Sequence, residues 1–284
     1  MLPPDERPHP LNGCTSHGTY KCSGGRFSPP SGYEPGMEER SAIVTGAASG
    51  IGRAIAERLT DDGVRALAVD LEPAWDGPGE PFAADLTTRE GNKEAVEAAL
   101  DRFGGRLDAV IANAGFQHVD PIAEFPEDRW YAIVAILLTS PFLLAKYAWD
   151  ALANAPGGGR FVGIASAHGL VASPYKAAYV SAKHGLLGLI KTVALEGADD
   201  GILATAVCPG FVRTPLVESQ IESQAKAHGT EPDQVLDDVI LAPHAVKRLI
   251  EPEEVAGVVA FLLGDGGRAF SGVPVTMDLG WTAR

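Results

Sequence analysis

The sequence predicts a single doubly wound α/β domain, a parallel sheet covered by helices on both faces. Three features predict it. Short, nearly continuous apolar runs recur between Ala42 and Met277, amphipathic stretches alternate with them, and a glycine-rich turn joins the first run to the first helix. Strands that are apolar on both faces need cover on both, which crossover helices supply and hairpins do not. The crossovers should be right-handed.

In chain order, Ala42–Thr45 reads as the first strand and 50–62 as the first helix. Ala66–Asp70 is the second strand, and a shorter one near Phe82–Ala84 precedes a helix over 88–103. Then come Leu107–Asn113, a long helix over 127–153, Arg160–Ala165, a helix over 175–197, Leu203–Cys208, a helix over 252–263 and Val273–Met277. Pro141 should kink the long helix, because its ring clashes with the preceding turn and it lacks an N–H. No internal repeat and no second break in composition divides residues 37–284, so one domain fits better than two.

Of the 284 residues, 45% are hydrophobic and 21% charged, a balance that excludes a wholly disordered chain. The formal net charge of −14 repels phosphate backbones and argues against nucleic-acid binding. The longest apolar run, Ile133–Ala145, is broken by Thr139, Ser140 and Pro141, so no membrane span is expected. The first residues lack a basic-then-apolar signal peptide, and three cysteines are too few for a disulfide framework; together these point to the cytoplasm. Residues 1–36 hold 7 of the 21 prolines and 6 of the 33 glycines, without periodicity, and are expected to be a disordered extension. His9, Cys14, His17 and Cys22 match no usual zinc spacing, so no metal is expected.

Thr45-Gly46-Ala47-Ala48-Ser49-Gly50-Ile51-Gly52 lies between the first strand and the first helix. Glycines there admit a close backbone approach to a pyrophosphate, and the helix N-terminus offers free N–H groups. Asp70 ends the second strand, 24 residues after Gly46. A carboxylate at that place accepts from ribose hydroxyls and repels a 2′-phosphate, and the next residue is Leu71, not a base. The cofactor expected is therefore NAD, with Asp85 and Leu86 after the third strand at the adenine edge.

Tyr179 and Lys183 are four residues apart and share a face if helical. A free phenol titrates near 10, too high for a base at neutral pH, and a nearby ammonium should lower it. Tyr179 would then exchange a proton with an alcohol or ketone oxygen, and Ser166, just past a strand, would hold the same oxygen.

Taken with Asn113-Ala114-Gly115 and Pro209-Gly210, these motifs resemble the short-chain dehydrogenase/reductase family over about residues 38–284. The resemblance implies a Rossmann-type fold, with Tyr179 as acid/base, Lys183 on the phenol and the nicotinamide ribose, and Ser166 on the substrate oxygen. It further implies that Gly46, Ser49, Gly50, Ile51, Gly52, Asp70, Asp85, Leu86, Asn113, Gly115, Pro209, Gly210, Val212 and Thr214 hold the cofactor. Ile164–Ser173, Cys208–Val217 and Gly280–Arg284 look like the bacterial D-3-hydroxybutyrate dehydrogenase branch. That branch implies a small hydroxy or keto acid whose carboxylate is held by Gln117, His168, Lys176, Gln220 and Trp281. A lone cation suits such a substrate in an acidic protein, and glutamine and histidine can donate to carboxylate oxygens. Residues 214–250, with Pro215, Pro232 and Pro243, fall where the family carries a helical substrate lid, and a homo-oligomer, usually a tetramer, is implied.

One position departs from the pattern. The family carries an Asn in the helix before the Ser strand, which helps relay protons from the Lys; here Leu137 stands in its place, and no Asn occurs between Asn113 and Asn154. The expected function is NAD-dependent oxidation of (R)-3-hydroxybutyrate to acetoacetate. The alternatives are another small keto or hydroxy substrate, or NAD binding with little turnover.

Overall fold

The computed structural model describes residues 40–283. The expectations for residues 1–36, including the four metal-capable side chains, lie outside the described residues. Seven parallel strands form one sheet: β1 (Ser41–Thr45), β2 (Arg65–Asp70), β3 (Glu80–Ala83), β4 (Ala109–Ala112), β5 (Arg160–Ile164), β6 (Leu203–Pro209) and β7 (Pro274–Met277). Their order is β3-β2-β1-β4-β5-β6-β7. The chain reverses direction across the sheet between β1 and β4, so a crevice opens beyond their carboxyl ends.

Strand periodicity divides the core. Ile43, Leu67 and Val110 pack on one face, with residues of α2 (Arg89–Arg102) and α5 (Ala177–Glu196). Ala42, Val44 and Ile111 point to the other, against α1 (Gly50–Asp61) and α8 (Pro252–Leu263). Successive strand side chains alternate faces, so a run apolar at every position is buried on both.

The stretch over 127–153 is interrupted rather than simply kinked. It comprises α3 (Glu127–Val134), a π-helical segment Ala135–Thr139 and α4 (Ser140–Ala153), whose first turn contains Pro141. The π segment accommodates the proline: the local bonding shifts, and Ser140 N–H donates to Ala135 C=O. The sequence expectation about membrane spans needs correcting here. By length and composition Glu127–Ala153 is apolar enough to cross a membrane, and counting uninterrupted runs missed it. Its packing is that of a core helix, with Ile133, Leu144, Ala148 and Leu152 in the same cluster as the sheet. Trp130, Tyr131 and Phe142 remain exposed.

After β6 the chain forms α6 (Pro215–Glu218), α7 (Ile221–His228) and a π-helical turn Leu236–Ile240. These enclose a small cluster of their own, Ala225, Val235, Ile240, Leu241 and Leu249, which Phe211 and Val217 join to the sheet end. The expected helical segment over 214–250 is thus a compact flap.

Candidate active site

A cleft of about 390 Å³ lies at the carboxyl end of the sheet. Gly46 and Gly50 in its floor have φ of +68° and +53°, the left-handed region that glycine tolerates. A Cβ on Gly46 would come within 2.9 Å of Ala114 Cα, and one on Gly52 would collide with the Gly46 carbonyl oxygen. Gly52 therefore does not line the cleft; it lets α1 pack under the turn. Ser49 starts α1 without a side-chain cap, and the first turn carries no acid, so backbone N–H groups there are left for an anion.

Asp70 lines the cleft, its Oδ2 accepting from Ala48 N–H at 3.0 Å and its Oδ1 from Leu71 N–H at 2.8 Å. These bonds fix the carboxylate and leave lone pairs for hydroxyls. Asp85 Oδ1 accepts from the N–H and hydroxyl of Thr87, and Leu86 lies beside it on the wall. Asn113 donates its side-chain amide to Thr45 C=O at 2.9 Å and its backbone N–H to the Thr45 hydroxyl, tying the ends of β4 and β1 together. Ser49, Ile51, Gly115 and Thr214 also line the cleft, and Leu137 presses on Gly115, where a Cβ would strike its Cδ2. The uncapped helix end, the glycine floor and the fixed Asp70 carboxylate fit a dinucleotide.

Tyr179 and Lys183 sit on one face of α5 and both line the cleft. Lys183 Nζ donates to Ile164 C=O at 2.6 Å and stands 5.5 Å from the centre of the Tyr179 ring. The expected acidification of the phenol is not found. Burial pushes Tyr179 up to about 12, the hydrogen bond from Ser166 pulling partly back, and burial pushes Lys183 down to about 8. Desolvation disfavours both charged forms and is the largest influence on each. Ser166 follows β5 and begins a short 3₁₀ turn, Ala167–Gly169, its Oγ accepting from His168 N–H at 3.1 Å.

A second pocket of about 70 Å³ adjoins the cleft and shares Ile51, Ala165, Tyr179, Thr214 and Leu216 with it. All five residues expected to hold the carboxylate line it: Gln117, His168, Lys176, Gln220 and Trp281. No Asp or Glu is among its lining residues. Lys176 is 3% exposed, one residue before α5, and Tyr175 ahead of it has φ +67°. Its Nζ lies 4.8 Å from the centre of the Phe211 ring, and burial pushes it down to about 8. Gln117 Nε2 is buried with no partner among the described residues. Gln220 Nε2 donates to Leu216 C=O at 2.7 Å, which leaves one amide hydrogen. Phe211 and Trp281 stack with planes 4° apart and centres 5.5 Å apart, forming one wall.

Some assignments change. Pro209, Gly210 and Val212, expected beside the cofactor, line the smaller pocket and not the cleft. The Thr214 hydroxyl donates to Val212 C=O at 3.3 Å and so helps shape the turn that enters the flap. His168, expected as a donor to a carboxylate, has both ring nitrogens engaged: Nδ1 lies 3.4 Å from Ser166 Oγ and Nε2 3.0 Å from Ser173 Oγ. Burial first, then the Lys176 charge, pushes its pKa down to about 3, so the ring is neutral. Sequence reasoning missed Phe211, Leu216 and Val217, wall residues whose role depends on how the flap folds back. It also missed Phe116 in the cleft; no local pattern marks any of these.

A family model described as Enoyl-(Acyl carrier protein) reductase matches residues 46–282. The chain is 40% identical over 258 residues to the D-beta-hydroxybutyrate dehydrogenase of Rhizobium meliloti (strain 1021), covering 86% of this chain and 99% of that protein. It is 38% identical over 259 residues to the D-beta-hydroxybutyrate dehydrogenase of Cupriavidus necator (strain ATCC 17699), with coverages of 87% and 100%. Among solved structures, an aldohexose dehydrogenase of Thermoplasma acidophilum superposes with a TM-score of 0.78 at 27% identity, covering 87% of this chain and 95% of that one. With the seven-stranded Rossmann sheet, the glycine floor and these matches together, the chain belongs to the short-chain dehydrogenase/reductase family, whose dehydrogenases use nicotinamide cofactors.

Proposed function

We propose that this protein oxidises (R)-3-hydroxybutyrate to acetoacetate with NAD, and catalyses the reverse reduction. One observation carries the reading: Lys176, a buried cation, shares a 70 Å³ pocket with Tyr179 and faces no carboxylate among the described residues. A buried charge without a partner is costly, so its site is suited to an anionic ligand. The unpartnered Gln117 Nε2 and the spare hydrogen of Gln220 give the anion further donors. The pocket has room for a few heavy atoms beyond the carboxylate, in keeping with a four-carbon acid. The names of the two relatives point the same way.

Asp70 supports NAD over NADP, since its fixed carboxylate would repel a 2′-phosphate. Bound in the cleft, the nicotinamide supplies the hydride acceptor. Tyr179 takes the hydroxyl proton in oxidation and returns it in reduction; Ser166 holds the same oxygen; Lys183 stabilises negative charge on the phenol oxygen. With the phenol raised to about 12, the protonated form dominates at neutral pH, which favours reduction, and oxidation gains as pH rises. The flap over 214–250 acts as a lid that excludes water. The exposed Trp130, Tyr131 and Phe142 on the long helix suit association into a homo-oligomer.

The test is NADH absorbance from purified protein with NAD and each enantiomer of 3-hydroxybutyrate. Turnover of the (R)-acid alone is expected; equal inertness towards both, with calorimetric NAD binding intact, would overturn the substrate assignment.

A further inference from the structure

We infer that Ser173 and His168 form a positioning pair that makes Ser166 a hydrogen-bond donor towards the reacting oxygen. The reacting oxygen is that of the proposed function, so the inference rests on that reading. Its basis is a chain of contacts: Ser173 Oγ to His168 Nε2 at 3.0 Å, His168 Nδ1 to Ser166 Oγ at 3.4 Å, and His168 N–H to Ser166 Oγ at 3.1 Å.

A neutral imidazole carries one ring proton, and the chain admits two arrangements. If the proton is on Nε2, it is donated to Ser173, Nδ1 is a bare acceptor, and the Ser166 hydroxyl hydrogen is drawn to it, away from the substrate. If Ser173 donates to Nε2, the proton lies on Nδ1 and is donated to Ser166. The two lone pairs of Ser166 Oγ are then taken by His168 N–H and Nδ1–H, so its hydroxyl can only donate. Its alternative acceptor, Pro209 C=O, is 3.5 Å away, the limit of a hydrogen bond, and the Tyr179 phenol oxygen faces the same hydroxyl. The second arrangement is the one that serves catalysis, because a donor strengthens as charge develops on the substrate oxygen.

One feature favours it, and a second holds the ring in place. Ser173 is half-buried between exposed Ala172 and Pro174, so water can donate to its oxygen while its hydrogen serves His168. The imidazole is clamped edge-on by Trp281, Tyr179 and Phe211, with centres 4.8, 5.9 and 6.0 Å away, which opposes ring rotation. Ser173 is therefore a positioning residue that touches neither cleft nor pocket.

The experiment has two readouts. Nitrogen-15 NMR of histidine-labelled protein, with His168→Gln to assign the signal, should place the ring proton on Nδ1, and Ser173→Ala should move it towards Nε2. In steady-state kinetics Ser173→Ala should lower kcat roughly tenfold at unchanged KM, and Ser173→Thr should restore it. A wild-type ring protonated on Nε2, an unaltered kcat in Ser173→Ala, or a change confined to KM would each overturn the inference. Absence of wild-type turnover on 3-hydroxybutyrate would sink the substrate reading instead, and the NMR result would still decide the pair.

Discussion

The cleft and the smaller pocket meet at Ile51, Ala165, Tyr179, Thr214 and Leu216, yet they are built from different materials. The cleft is made largely from backbone and small residues in the turns after β1 to β4, and its specific groups are an uncapped helix end and the Asp70 carboxylate. The pocket is made of side chains: a buried lysine, two glutamines, a neutral histidine and a stacked Phe211–Trp281 wall, contributed by segments from residue 117 to residue 281. A backbone cradle suits a ligand common to many proteins. A side-chain pocket can be rebuilt one residue at a time to suit a particular substrate.

Four changes test that division, from the largest expected effect to the smallest. Tyr179→Phe removes a hydroxyl on the border between the two sites. We expect kcat to fall about 10³-fold with NAD affinity intact, checked by turnover and calorimetry; retained turnover would refute the acid/base role.

Lys176→Met acts on the pocket alone. KM for the hydroxy acid should rise about 10- to 100-fold with little change in NAD binding. The same charge sets a pH dependence. Lys176 is cationic below about 8 and neutral above, so KM for the acid should climb as pH passes 8, while kcat for oxidation rises as the phenol ionises; kcat/KM then climbs to about pH 8 and levels off above it, the two effects offsetting each other. Its effect on stability runs the other way from a salt bridge. Between about pH 8 and the ordinary lysine value of 10.5 the unfolded chain binds the proton and the folded one does not, so this residue adds stability as pH rises through that window. Chemical denaturation at pH 7 should find Lys176→Met more stable than the parent.

Asp70→Ala acts on the cleft alone. The preference for NAD over NADP should drop about tenfold, with KM for the acid unmoved; a shift in the acid's KM would show that the two regions are coupled.

Leu137→Asn probes the border between them. The side chain is buried against Gly115 in the cleft wall, where the family carries the relay residue. A gain of a few-fold in kcat is expected if an amide there restores proton exchange with Lys183, at a cost of about 1–3 kcal/mol from burying it. An unchanged rate would remove the relay argument.

The same contrast explains what could be read in advance. The seven strands and the helices between them appear nearly where the apolar alternation places them, because the register of a buried parallel strand is written in its own residues. The glycine floor, Asp70 and the Tyr179/Lys183 pair were legible for a related reason: each needs only a strand end or one helical turn. The five pocket residues were legible only together and only through resemblance, since a lone Gln or His carries no local signal. Two details differ where desolvation or a competing partner decided the outcome: the phenol rises instead of falling, and both His168 nitrogens are engaged by serines.

Sequence alone therefore determined the sheet, its crossovers and the place of the candidate site, since these follow from hydrophobic periodicity and short-range spacing. Tertiary structure decided the charge states of Tyr179, Lys183 and Lys176, the engagement of His168 and the Phe211–Trp281 wall. Those properties depend on how far water is excluded and which groups from distant segments arrive within hydrogen-bond reach, and neither quantity exists until the chain has closed around the site.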